Sequence, residues 1–128
     1  MTYLLDTHTL IWFLRVPGGL PPQVRTLLED PESTLAISLA TPWEMAIKVG
    51  ISRLDAQDIL DDFDAILTRG NFNVVTPTVA QVVGSGRLPL YHRDPFDRLI
   101  AYQSIDLGWT VLSKDVIFDA YGVRRLWN

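Results

Sequence analysis

The chain contains no cysteine, which excludes disulfides and thiolate metal sites and leaves only oxygen or imidazole as ligands for any metal. No apolar run reaches the roughly 18 residues of a spanning helix, and the first residues lack the basic-then-apolar order of a secretory signal. A soluble, cytoplasmic protein without membrane contact is therefore expected. Positive charge is also scarce: 15 Asp and Glu against 11 Lys and Arg give a formal net charge of −4, so a broad basic face for nucleic acid is not expected. The glycines of VVGSGR at 82–87 stand without the lysine and hydroxyl residue of a P-loop or the third glycine of a dinucleotide fingerprint. Internal repeats and low-complexity segments are absent.

What is present is the composition of a globular chain: 128 residues, 48% hydrophobic and 20% charged, enough for one domain over 1–128 that buries roughly two-thirds of its unfolded surface. TYLLD at 2–6, TLAIS at 34–38, FNVVT at 72–76 and WTVLSKD at 109–115 read as strands, with VRRLW at 123–127 as a fifth. Helices are expected after Asp6, over Gln23 to Asp30, and over TPWEMAIKVG, where Thr41 caps, Pro42 occupies the first turn and Gly50 ends the run. One amphipathic helix is expected between Asp55 and Leu67, with Asp58, Asp61, Asp62 and Asp64 on its solvated face. TVAQVV at 78–83 is a short helix, GSGRLPL a loop, and a further helix starts at Pro95. This alternation predicts an α/β fold, a mainly parallel sheet of four to five strands with helices on both faces. In such sheets ligands gather at the carboxyl ends of the strands.

Several acids fall at such places. Asp6 follows the first strand, where an acid also serves as a helix cap, and Thr7 opens the helix behind it. Glu44 suits a capping box with Thr41 or a helical pair with Lys48. In HRDPFDR at 92–98, Asp94 precedes a proline and reads as the cap, which leaves Asp97 free as a ligand. Asp115 ends the fourth strand, where an acid also starts a turn. Each acid alone is explained as punctuation. Brought together at one sheet edge they repel, and a hard divalent cation, Mg2+ or Mn2+, resolves that repulsion and points to phosphoryl chemistry.

LLDTH at 4–8, PWEMAIKVGISRL at 42–54, HRDPFDRLIAYQ at 92–103 and LSKD at 112–115 together closely resemble PIN-domain ribonucleases, specifically VapC-type toxins of bacterial toxin–antitoxin pairs. The resemblance spans nearly the whole chain and implies a PIN-like parallel sheet sandwiched by helices. It implies a Mg2+- or Mn2+-dependent ribonuclease with Asp6, Glu44, Asp97 and Asp115 as the metal-binding catalytic acids, and Asp94 and Thr7 in support. It further implies an RNA substrate, a cognate antitoxin that silences the site, and a homodimer. Lys48, Arg93 and Arg98, beside the motifs, are candidate phosphate contacts on a small basic rim that also draws on Arg53, Arg87 and Lys114.

Two other readings use the same acids. A phosphatase or phosphotransferase would employ Asp6 as nucleophile, but His8 stands where a second acid of the haloacid-dehalogenase pattern belongs. A receiver-like signalling domain has this length and an acidic pocket, but wants adjacent acids after the first strand. His8 and His92 are read as packing or substrate-facing groups and not as metal ligands. Trp12, Trp43, Trp109 and Trp127 are read as core or dimer contacts.

Overall fold

Five short stretches form one fully parallel sheet in the computed structural model, which describes residues 1–128. They are β1 (Thr2–Leu5), β2 (Thr34–Ser38), β3 (Phe72–Val75), β4 (Thr110–Leu112) and β5 (Arg125–Leu126), ordered β3-β2-β1-β4-β5. Eight α-helices connect them: α1 (Thr7–Arg15), α2 (Pro22–Glu29), α3 (Ala40–Gly50), α4 (Gln57–Asp61), α5 (Phe63–Arg69), α6 (Val79–Gly86), α7 (Pro95–Leu107) and α8 (Ile117–Ala120). None is long and apolar enough to cross a membrane.

Successive strand residues point to opposite faces, and the apolar runs serve both. Leu5, Leu35, Ile37 and Leu112 face one core, completed by Leu10, Val24, Leu28, Met45, Ile59 and Ile66 from α1 to α5. Leu4, Ala36 and Val111 face the other, with Leu99 and Ile100 of α7 and Phe118 of α8. Burial on both faces explains why β1 and β4 read as unbroken apolar runs instead of alternating patterns.

Strand order reverses between β1 and β4, which lie side by side. The switch point so formed is where open parallel sheets present a crevice at their carboxyl edge. Asp6 follows β1 there and Ser113 follows β4.

Besides α8, which no sequence signal announced, two stretches depart most from expectation. The helix expected between Asp55 and Leu67 breaks at Asp62, whose amide bonds back to Ile59 O at 3.3 Å in a tightened turn; neither glycine nor proline marks the break. Asp58, Asp61, Asp62 and Asp64 are exposed, as expected. Conversely α6 continues through Gly84-Ser85-Gly86, expected as loop. Gly84 lies against the ring of Tyr102 on α7, where a Cβ would stand 2.2 Å from a ring carbon. The glycine is there for close helix packing, not for a turn.

Candidate active site

Asp6 is both helix cap and site residue. Its extended backbone (φ −77°, ψ 169°) starts α1, and its Oδ1 accepts the Thr9 amide at 2.8 Å. Its Oδ2 accepts a hydrogen bond from Ser113 Oγ across the switch point. Ser113 Oγ also accepts the Asp115 amide at 2.9 Å, so one hydroxyl ties Asp6 to the loop carrying Asp115. The only sequence signal for Ser113 was its place two residues before an acid.

Glu44 is almost wholly buried, at 1% exposure. The capping box with Thr41 does not form, because α3 begins at Ala40, earlier than expected, with Leu39 as its uncapped N-cap. Thr41 is instead buried with its Oγ1 3.2 Å from Thr7 Oγ1, and Thr7 donates to Glu44 Oε1 at 2.6 Å. A tertiary partner thus displaces the local one. Glu44 Oε2 pairs with Lys48, whose Nζ also reaches Asp94 Oδ2 at 3.4 Å. Burial alone pulls the Lys48 ammonium down, but the hydrogen bond and charge of Glu44, then Asp94, hold it above its ordinary value.

Asp94 caps α7 through the Phe96 amide at 2.8 Å, with Pro95 in the first turn, as expected. Asp97, one turn into the helix, is buried at 7% exposure. His92 Nε2 lies 3.1 Å from Asp97 Oδ2 and 2.8 Å from Asp115 Oδ2. A donor atom from each of these three residues falls within 4.8 Å of the others. His92 was therefore underrated as a substrate-facing group: it is built into the acid cluster. His8, by contrast, is exposed.

The Asp97 carboxyl is pushed up to about 8, first by burial and then by the charges of Asp94, Glu44, Asp6 and Asp115. Acids from four stretches of sequence, its own among them, thus act on one carboxyl. Of the four acids, Asp97 and Asp115 lie close enough to share an ion, while Asp6 and Glu44 reach Asp97 through their charge; hard oxygen donors of this kind suit Mg2+ or Mn2+.

The basic residues divide. Lys48 and Arg98 are committed inward, Arg98 Nη1 donating to the carbonyls of His92 and Arg93 at 2.9 and 3.0 Å. Arg53, Arg87, Arg93 and Lys114 are exposed. Trp127 is buried and Trp12 packs on it, with ring centroids 5.6 Å apart. Trp43 stays 59% exposed beside Glu44, with its edge against Phe96, so it is not a core residue. A surface cavity of about 350 Å³ lies at the amino ends of β2 and β3 among Leu28, Asp30, Leu35 and Arg69, away from the acids.

Parallel sheet, switch point and convergent carboxylates define an α/β protein with an acidic site at its strand ends. The chain belongs to the PIN domain family, which matches residues 3–123. Similar solved structures include VapBC2 from Rickettsia felis bound to a promoter DNA fragment, at 19% identity and a TM-score of 0.71 over 100% of both chains. VapBC-1 from nontypeable Haemophilus influenzae follows at 18% identity and 0.68, over 98% of this chain and 97% of that one. FitAcB from Neisseria gonorrhoeae matches at 22% and 0.57, over 98% and 96%. No curated protein matches the sequence.

Proposed function

We propose that this chain, over residues 1–128, is a divalent-metal-dependent endoribonuclease that acts as the toxin of a toxin–antitoxin pair. The observation that carries the reading is Asp97, a carboxyl raised first by its burial and then by four neighbouring acids, at the switch point of a PIN-family sheet. Its support from elsewhere is the order of the VapC-like motifs and the VapBC assemblies among the structural neighbours.

Asp6 and Asp97 would hold the principal Mg2+ or Mn2+, with Glu44 and Asp115 completing its surroundings. A bound divalent cation supplies Lewis acidity there, polarising a phosphate oxygen and favouring hydroxide over water. Thr9 and Ser113 fix both oxygens of Asp6, and Thr7 and Lys48 fix both of Glu44, so neither carboxylate must reorganise. Asp115, whose side chain is 33% exposed, is the acid best placed to orient an entering water. Exposed Arg93 is left to meet phosphate.

The phosphotransferase reading lacks the second acid its pattern wants, because His8, an exposed imidazole, stands two residues after Asp6. A cognate antitoxin as partner, a homodimer as the working form and the cytoplasm as location complete the proposal. The test is incubation of the purified chain with mixed cellular RNA, with and without Mn2+, beside Asp97→Asn. Metal-dependent cleavage by the native chain alone is the expected result; equal cleavage by the variant removes the assignment.

A further inference from the structure

His92 is the one imidazole inside the acid cluster, and its hydrogen bonds decide which nitrogen carries the proton. The Asp94 amide lies 3.2 Å from Nδ1. A main-chain N–H only donates, so Nδ1 must present a lone pair. The ring proton then sits on Nε2, which faces Asp115 Oδ2 at 2.8 Å and Asp97 Oδ2 at 3.1 Å. Asp115 Oδ2, the hydrogen-bond partner on that side, is an acceptor, so the two sides of the ring agree.

The ring is also anchored from behind. The His92 amide donates to Tyr121 Oη at 2.8 Å, and Tyr121 donates onward to Pro89 O at 2.6 Å. The His92 carbonyl accepts from Arg98 Nη1 at 2.9 Å. Asp115 stands on the loop after β4 with its amide held by Ser113 Oγ, but its side chain has two holds only, the nearby Ile117 amide on Oδ1 at 2.9 Å and His92 on Oδ2. Although the three donor atoms are near enough to share an ion, Nε2 in this tautomer has no lone pair to give one.

We propose that His92 is a positioning residue, fixed as its Nε2–H tautomer, which holds Asp115 against Asp97 so that the Oδ2 of each is presented to the same point. The proposal rests on the metal-site reading above. Partners of this kind, hydrogen-bonded to metal-binding carboxylates, change metal affinity by about 10- to 100-fold when removed.

The test uses the full metal-free chain and its His92→Ala and His92→Gln variants, since a glutamine amide places an N–H near the position of Nε2–H. Titration calorimetry with Mn2+ should show affinity about 10- to 100-fold weaker in His92→Ala and close to native in His92→Gln. Native affinity in the alanine variant, or equal loss in a folded glutamine variant, overturns the proposal. The chain has two histidines, so nitrogen NMR of the metal-free native protein reads the tautomer directly. A proton on Nδ1 of His92, or nitrogen hyperfine coupling from His92 to bound Mn2+, also overturns it. Absence of any Mn2+ uptake by the native chain would instead overturn the metal-site reading on which the proposal rests.

Discussion

Lys48 Nζ lies 3.4 Å from Asp94 Oδ2 while pairing with Glu44, so one ammonium joins the middle of α3 to the head of α7. The sequence suggested a phosphate contact for this lysine. The structure gives it a prior engagement with two acids, and its removal strands a buried carboxylate.

Lys48→Ala is therefore expected to destabilise the metal-free chain by about 1–3 kcal/mol, the cost of leaving a buried polar group without its partner. Saturating Mn2+ should recover much of that loss, because the cation supplies the missing positive charge. Urea unfolding with and without Mn2+ measures both effects. A destabilisation that Mn2+ leaves untouched would place Lys48 outside the electrostatics of the site.

Asp97 gives a pH dependence of stability. Its native pKa of about 8 exceeds the ordinary 3.8, so the folded state binds this proton more tightly than the unfolded state. The associated stability is fully present below about pH 4 and is lost as pH rises toward about 8. Asp97→Asn has no such proton to lose and should make metal-free stability flatter over that window. Thermal melts at pH 5 and pH 8 compare the two; a parallel decline in both would assign the effect to another group.

The same proton links metal uptake to pH. Below about pH 8 the Asp97 carboxyl must lose its proton to become a ligand. Mn2+ affinity should accordingly rise by up to about tenfold per pH unit toward that value and then level off. Calorimetry in buffers of differing ionisation enthalpy should register proton release at neutral pH and little above pH 9. Equal release at both would contradict the raised carboxyl.

Ser113→Ala removes the donor to Asp6 and the acceptor of the Asp115 amide together. We expect about 10- to 100-fold weaker Mn2+ binding, as for other outer partners of metal ligands, with secondary structure retained. Binding titrations and circular dichroism decide it, and undiminished affinity would make the serine a turn residue only.

Gly84→Val tests the α6–α7 packing. The added side chain meets the Tyr102 ring, and overpacking of this kind costs about 1–3 kcal/mol. Denaturant midpoints should fall accordingly, whereas an unchanged midpoint would mean that Tyr102 swings aside freely.

Much of this protein was legible in one dimension. Leu4-Leu5 and Leu35-Ala36-Ile37 announce strands buried on both faces because no polar residue interrupts them, and Asp94-Pro95 announces a helix start because proline fits the first turn without losing a hydrogen bond. The four acids stand just past strands or near helix starts, and the motif resemblance singled them out as a set. Where local rules misled, a distant partner had outbid a near one: Thr41 turned to Thr7 instead of capping, and Gly84 served Tyr102 instead of a loop.

What the chain settled by itself was most of the elements and the acids near their ends, since periodicity, proline and glycine act over a few residues. The tertiary structure alone decided which of those acids share a field, and that His92 and Ser113 stand between them. The reason is geometric. Residues more than a hundred positions apart, such as Asp6 and Ser113, meet only because β1 and β4 pair in parallel, and no short-range pattern encodes that register.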